Sequence, residues 1–254
     1  MENIEGVMNL IVDIGNTATK IAVMDSNNTV VAYRRVEHFT AEMAAALLDE
    51  YPSIDKAIVA STGAEDERVW RVLRARVDYF LEFTSTTDVP LKNGYKTPET
   101  LGADRLAAAV GAQECYGRSN MLIVDFGTAI TYDLVTDGVF RGGNISLGVA
   151  ARFRALHEYT ERLPLCEPTD EKLEFGRSTC EAVEQGVMSG IEYETEGYIA
   201  DFCKKYDNLC IIFTGGDAKN FANRIKNTIF ADCNLTLIGL NRILEYNATK
   251  QDGE

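Results

Sequence analysis

The sequence is poor in the residues that build metal clusters and disulfide-stapled scaffolds. It has only 2 His and 6 Cys among 254 residues, and no two cysteines form a CxxC pair. Zinc clusters and redox dithiols use such pairs, so neither kind of site is expected. We therefore predict reduced thiols, the usual state of cysteine in a cytosolic protein.

Long apolar runs and excess positive charge are also missing. No apolar run approaches the ~20 residues that a membrane-spanning helix needs, and no basic segment precedes a hydrophobic one at the N-terminus. The formal net charge of -14 opposes binding to phosphate backbones and anionic lipids. The sequence thus predicts a cytoplasmic protein without a nucleic-acid or membrane partner.

What the sequence does contain is an internal repeat within the composition of a packed protein. Hydrophobic residues make up 46% of the chain, and a shift of 112 residues aligns LIVDIGNTATKIAVMD (10–25) with LIVDFGTAITYDLVTD (122–137). In each copy a strand of the buried type ends in an Asp-x-Gly turn, and a second β-rich run follows. We interpret the repeat as two similar half-domains, residues 1–118 and 119–254.

Between these units, apolar strands alternate with helical patterns. This alternation predicts an α/β fold in which each half is a mixed sheet flanked by helices. The periodicity places helices at 41–50, 65–76, 104–116, 149–162, 179–206 and 218–225, and predicts a strand at 235–238 before a short helix at 240–245.

The two Asp-x-Gly turns have the residues of a nucleotide site. The first combines a carboxylate (Asp13), a glycine that permits close approach (Gly15) and a fixed positive charge (Lys20). Such a turn presents backbone N–H groups to phosphate, while its carboxylate faces a cation. An ordinary hairpin whose polar side chains bind their own backbone is the alternative. The second turn, at 125–129, favours a nucleotide held between the halves.

A third segment, 101–105, precedes a helix and contains the pair Asp104 and Arg105. Asp104 is well placed to cap that helix, since a carboxylate is favoured at a helix N-terminus. Alternatively, it is a base beside a guanidinium that suits an anionic substrate carrying an alcohol. The spacing alone leaves both interpretations open.

Together these segments resemble the type III pantothenate kinases of the acetate and sugar kinase, heat-shock ATPase and actin superfamily. The resemblance runs from about residue 9 to about residue 245, and its matching segments are Asp13–Lys20, Tyr95–Pro98, Gly102–Arg105, Val124–Ala129, Gly142–Ile145 and Thr214–Gly216. Gly-Ala-Asp-Arg with its short linker to Asp-Phe-Gly-Thr-Ala is the specific part. One departure is Leu147, because the family usually has proline there, in Gly-Gly-x-Ile-x-Pro-Gly.

The resemblance implies two actin-like (ribonuclease H-like) half-domains with the active site in the cleft between them. The implied reaction is ATP-dependent phosphorylation of pantothenate to 4′-phosphopantothenate, the first step of coenzyme A biosynthesis. The implied ATP contacts are Asp13, Ile14, Gly15, Asn16, Thr17, Ala18, Thr19, Lys20 and Thr128. The implied substrate contacts are Tyr95, Gly102, Ala103, Asp104, Arg105 and Thr179.

Within this set the resemblance makes Asp104 the base for the pantothenate hydroxyl. Asp125 helps to bind a monovalent cation, potassium or ammonium, and magnesium travels with ATP. The chain is expected to form a homodimer in which Thr179 acts in its own or in the partner subunit's site. The alternatives are another small-molecule kinase or a polyphosphate-cleaving phosphatase of the same superfamily, and a non-catalytic accessory factor for transcription.

Overall fold

The structure of the chain, a computed structural model, describes residues 7–15, 17–61, 66–226, 229–230 and 235–251. It divides into two compact units. Unit 1 consists of Met1–Gly117 together with Leu235–Glu254, and unit 2 of Arg118–Asn234.

Unit 1 is a mixed sheet flanked by helices. Its elements are β1 (Met8–Ile14), β2 (Thr19–Asp25), β3 (Val30–Val36), α1 (Ala41–Glu50), β4 (Ile54–Ser61), α2 (Glu67–Arg76), β5 (Tyr79–Phe83), β6 (Lys92–Asn93), a 3-10 turn (Pro98–Thr100), α3 (Ala103–Tyr116) and α7 (Leu235–Gln251). Thr40 caps α1 by accepting a hydrogen bond from the Met43 N–H (3.3 Å), which satisfies one of the free donors at that end.

The main strands of unit 1 lie in the order β3-β2-β1-β4-β5. β1 runs antiparallel to β2 and parallel to β4. The apolar run of β1 is buried because helices cover the sheet, and Leu10 and Val12 join one core cluster with Leu47 of α1 and Trp70 of α2. The β1–β2 hairpin places Asp13 opposite Lys20 at the end of the strands.

Unit 2 repeats this arrangement. Its elements are β7 (Asn120–Phe126), β8 (Ala129–Thr136), β9 (Val139–Leu147), α4 (Val149–Glu158), α5 (Thr179–Cys203), β10 (Cys210–Thr214), α6 (Ala218–Ala222) and β11 (Ile229–Phe230). Its strands lie in the order β9-β8-β7-β10-β11, with β7 antiparallel to β8 and parallel to β10. Order and direction match those of unit 1, which confirms the repeated α/β architecture.

The C-terminal helix differs from the prediction. We predicted a strand at 235–238 within the second half-domain, whereas the structure has the single helix α7 and groups it with unit 1. Because α7 is buried on most of its sides, its apolar run shows little helical periodicity. A Cβ at Gly239 would overlap the Ala107 carbonyl oxygen of α3, so glycine is what permits this close approach. The second unit therefore does not extend to residue 254.

The expectation that all thiols are reduced is wrong for one pair. Cys166, in the loop after α4, and Cys180, in the first turn of α5, form a disulfide with a Cα–Cα distance of 5.9 Å. The fold brings the two together although 14 residues separate them along the chain, which no local motif signals. Cys203 and Cys210 are free thiols. Within the described ranges, no helix combines the length and apolar character needed to cross a membrane.

Candidate active site

The first predicted turn joins two strands of unit 1 and holds a buried carboxylate. Asp13 is only 7% exposed, and its Oδ2 lies 3.7 Å from the Lys20 Nζ across the hairpin. The Gly15 N–H donates to the Ala18 carbonyl oxygen (3.2 Å), which closes the turn between the strands. The predicted ATP contacts from Ile14 to Thr19 follow this backbone, except Asn16, which lies outside the described residues.

The electrostatics of this turn are unusual for a carboxylate. Burial raises the pKa of the Asp13 carboxyl above its ordinary value, the positive charge of Lys20 lowers it, and the negative charge of Asp104 raises it again. Buried carboxylates of this kind are found at functional sites, because burial disfavours the charged form and a nearby cation favours it. The structure thus brings Asp13, Lys20 and Asp104 within electrostatic range of one another.

The segment with Asp104 and Arg105 begins α3, as predicted. Asp104 is exposed, and its Oδ1 accepts a hydrogen bond from the Arg105 N–H (2.9 Å). Gly102 leaves room for that carboxylate, because a Cβ there would lie 2.5 Å from Asp104 Oδ1. The N-cap of α3 is Gly102, and no side-chain cap hydrogen bond is made there, so Asp104 is not the helix cap. It lies in the first turn and presents its carboxylate to solvent, which is compatible with the role of a base.

Tyr95 and Arg105 form the second contact of this segment. Arg105 is 7% exposed, and its Cζ lies 5.7 Å from the centre of the Tyr95 ring. The Tyr95 N–H donates to Asn93 Oδ1 (3.0 Å), which fixes the approach of the chain to the ring. A guanidinium held against an aromatic ring is a preorganised anion-binding group. Two residues predicted to bind the same substrate are therefore in contact.

In unit 2, the equivalent carboxylate is bordered by glycines. Asp125 lies near the end of β7, next to Thr131 of β8 and Thr214 of β10. Gly215 has φ = +96°, and a Cβ there would overlap Asp125 Oδ1. Glycine at 215 therefore permits the close approach of the chain after β10 to this carboxylate.

Among the residues that the structure describes, a cation at Asp125 would not be surrounded by a cluster of ligating side chains. Within the described part of the chain, no three His, Cys, Asp or Glu side chains are grouped closely enough to hold a metal ion. A cation at Asp125 would take its other oxygen ligands from backbone, water or nucleotide, as hard cations commonly do.

Thr128 lies at the turn between β7 and β8, and the end of β9 is packed against it. The Gly148 N–H donates to the Thr128 carbonyl oxygen (3.1 Å), and a Cβ at Gly148 would overlap the Gly127 carbonyl oxygen. The segment that carries Leu147 therefore borders the second Asp-x-Gly turn.

Thr179 is the first residue of α5 and lines a cavity of about 850 Å3 between α4 and α5. Ser178 precedes it as N-cap and forms a capping box with Glu181. Most other residues of this groove are apolar, among them Leu156 and Val183. Thr179 thus belongs to the α4–α5 face of unit 2.

Sequence reasoning missed one residue at this face, Arg152 of α4. Its guanidinium donates to the Leu147 carbonyl oxygen (2.8 Å) and to Ser146 Oγ (2.9 Å). A single arginine in a helix gives no pattern, so the sequence had no signal for it.

The family model and two similar relatives agree on one family. The family model for type III pantothenate kinase matches residues 9–201. A type III pantothenate kinase from Phocaeicola vulgatus is 41% identical over 241 residues, covering 94% of this chain and 99% of the relative. One from Bacteroides fragilis is 43% identical over 242 residues, covering 94% and 98%. Among solved structures, a protein from Sinorhizobium meliloti assigned as a 2-dehydro-3-deoxygalactonokinase has a TM-score of 0.62 at 14% identity, covering 94% of this chain and 99% of its own.

Proposed function

The chain belongs to the type III pantothenate kinase family, and from that premise we propose that it transfers the γ-phosphoryl group of ATP to the hydroxyl of pantothenate. The product is 4′-phosphopantothenate, and the reaction opens coenzyme A biosynthesis in the cytoplasm, where ATP is available. The observation that carries the proposal is the start of α3, where an exposed carboxylate (Asp104) adjoins a buried guanidinium (Arg105) held against Tyr95.

On the ATP side, the proposed phosphate ligands are the backbone of the turn that follows Asp13 and the ammonium group of Lys20. Lys20 places a positive charge beside that turn. Its side chain is 34% exposed, and its Nζ lies 3.7 Å from Asp13 Oδ2. Its charge would offset the phosphates, and Thr128 supplies a contact from the second turn. Magnesium bound to ATP would neutralise phosphate charge, as in other phosphoryl transfers.

On the acceptor side, Tyr95 and the segment 102–105 bind pantothenate. Arg105 pairs with the carboxylate of pantothenate, and its contact with the Tyr95 ring keeps the guanidinium in place. Asp104 accepts the proton of the attacking hydroxyl as the oxygen–phosphorus bond forms. Because that proton becomes acidic late in the reaction, an exposed carboxylate can serve as the base and no histidine is required.

We further propose that Asp125 contributes to a site for potassium or ammonium. The support is the family resemblance together with the position of Asp125 near the end of β7, opposite Thr214 of β10. A monovalent cation there would offset the negative charge of the nucleotide on a chain that is acidic overall.

The proposed quaternary structure is a homodimer to which the α4–α5 face contributes. This face has an apolar cavity of about 850 Å3, and Tyr159, one of its lining residues, is 87% exposed. A second copy of the chain would cover these apolar side chains. Thr179 lies at the same groove, so it is well placed to contribute to the partner subunit's substrate site.

Mixed dimers test the shared site. We expect Asp104→Asn chains and Thr179→Trp chains to be inactive alone, and their co-refolded heterodimers to regain up to about half of wild-type activity, because one of two sites is then intact. If heterodimers form but stay inactive, Thr179 does not act across subunits, although the kinase assignment stands.

The decisive test of the reaction is direct. The purified protein is incubated with ATP, magnesium, potassium and pantothenate, and 4′-phosphopantothenate is detected by its mass. A panel of other hydroxylated acids, sugars and polyphosphates serves as the control. Turnover of another compound in place of pantothenate would indicate a different kinase or phosphatase of the superfamily. No turnover with any of them would favour a non-catalytic accessory role.

A further inference from the structure

Arg152 of α4 connects the end of β9 with α5 through three hydrogen bonds. Its Nε donates to the Leu147 carbonyl oxygen (2.8 Å) and its Nη2 to Ser146 Oγ (2.9 Å). The Nη2 also donates to the carboxylate of Glu194 on α5, which balances the charge. The Arg152 side chain is only 19% exposed. These contacts fix a planar fork of donors against two consecutive residues, an arrangement that a single ammonium group could not reproduce.

The segment that Arg152 holds is in direct contact with the turn that carries Thr128. Gly148 donates to the Thr128 carbonyl oxygen (3.1 Å), and its lack of a Cβ lets the two backbones touch at Gly127. Closely packed backbones have low compressibility, so a shift of one segment displaces the segment in contact with it. Movement of residues 146–148 would therefore displace the turn at 127–128.

Residue 147 is a leucine, which places no covalent constraint of its own on this turn. Proline fixes its own φ near -65° and restricts the residue before it to the extended region, so it holds a turn without any contact. Leucine does neither. In this chain the guanidinium of Arg152 makes the constraint through hydrogen bonds to the same two residues.

We propose that Arg152 is a positioning residue for ATP, which holds residues 146–148 and through them the turn at 127–128. The proposal rests on the proposed function, since it takes that turn to contact ATP. It assigns Arg152 no contact with substrate.

The strand pairing supplies a rescue variant. Leu147 lies opposite Ala129 in the β8–β9 ladder. The Gly148 N–H donates to the Thr128 oxygen, and a bond between these flanking residues means that Leu147 and Ala129 form a non-hydrogen-bonded pair. The Leu147 N–H is therefore not used in the β8–β9 ladder, and Ser146 already has the extended backbone that a following proline requires. Proline should be tolerated at 147.

The experiment compares Arg152→Met, Leu147→Pro/Arg152→Met and a control, Arg154→Met, by calorimetric binding of a non-hydrolysable ATP analogue and by steady-state kinetics. Arg154 is exposed on the same helix, so the control removes the same charge. We expect Arg152→Met to weaken analogue binding and raise KM for ATP about tenfold, the order of one charge-assisted hydrogen bond, with KM for pantothenate unchanged. The double variant should recover most of that loss, and Arg154→Met should bind like wild type.

Three results would overturn the proposal. The first is an Arg152→Met protein that binds the analogue as tightly as wild type. The second is a double variant that has the wild-type circular dichroism spectrum but no recovery. The third is a change of oligomeric state in sedimentation that accounts for the weaker binding. If Arg152→Met does not fold, Arg152→Lys replaces it and is expected to show a smaller loss, again reversed by Leu147→Pro. Because analogue binding is measured without pantothenate, a wrong assignment of the acceptor would leave this test intact.

Discussion

Replacing Asp104 by Asn separates its role as a base from its role at the start of α3. In the structure Asp104 Oδ1 accepts a hydrogen bond from the Arg105 N–H (2.9 Å) and fits beside Gly102. Asparagine has the same shape and keeps a carbonyl oxygen for that bond, but it cannot accept a proton from the substrate. The substitution therefore preserves the helix start and removes the base.

The expected magnitudes of the two effects differ clearly. Loss of a general base lowers turnover by ~10²–10⁴, which is about 2.7–5.4 kcal/mol at 1.36 kcal/mol for each factor of ten. Loss of a negative charge in the first turn of a helix costs only ~0.3–1 kcal/mol of stability. A helix effect of that size cannot imitate the loss of the base, because it leaves nearly all molecules folded.

The assay measures kcat with pantothenate, thermal unfolding, and binding of an ATP analogue for wild type and Asp104→Asn. Glu114→Gln is the matched control, since it removes a carboxylate near the other end of the same helix, where Glu114 pairs with Arg242 (3.3 Å). We expect full turnover from the control and unchanged analogue binding in both variants. Near-full turnover from Asp104→Asn would refute the reasoning and leave Asp104 with a role in the first turn of α3 only.

Stability and cation dependence offer further tests. Gly239→Ala should destabilise the protein by ~1–3 kcal/mol, because its Cβ would overlap α3. Gly197→Ala should stabilise it by roughly 0.5–1 kcal/mol, because a Cβ at this position of α5 meets nothing within 4 Å. If urea unfolding shows that both variants shift the free energy of unfolding in the same direction, the packing argument is wrong. Turnover should require potassium or ammonium and be poor in sodium alone, and Asp125→Ala should abolish the preference; equal initial rates of wild type in all three salts would exclude the cation site. Burial raises the folded-state pKa of Asp13, so ionisation of its carboxyl lowers the stability of the fold as pH rises above about 3.8. Asp13→Asn should therefore have a higher melting temperature than wild type at neutral pH, and the difference should vanish in acid. A lower melting temperature of the variant at pH 7 would show that the ion pair with Lys20 outweighs burial.

The repeat made much of the fold predictable, and long-range contacts made the rest inaccessible. The two Asp-x-Gly turns mark strand ends because a continuous apolar run stops there, and the common strand order of the units follows from that likeness. The apolar run of α7 carries no such punctuation, so a buried helix could not be distinguished from a strand. The bond between Cys166 and Cys180 depends on how a long loop folds back, which sequence spacing does not determine.

The same limit applies to the candidate site. Asp13 and Asp104 could be named because each lies in a compact motif with a glycine nearby. Their electrostatic coupling could not, because it depends on the approach of α3 to the end of β1. Arg152 lies outside every motif, and only its three acceptors in the folded chain give it a role.

The discontinuity of unit 1 has a consequence for the order in which the chain can fold during synthesis. The whole of residues 118–234 is translated between the two pieces of unit 1, and these residues form the second compact unit. On the ribosome, the face of α3 that contacts α7 stays uncovered until α7 has been made, whereas the residues of unit 2 are already available to fold. This is the reverse of the usual order, in which the N-terminal unit folds first. A nascent chain stalled before α7 emerges would thus have a folded C-terminal portion and an N-terminal portion still in need of a chaperone.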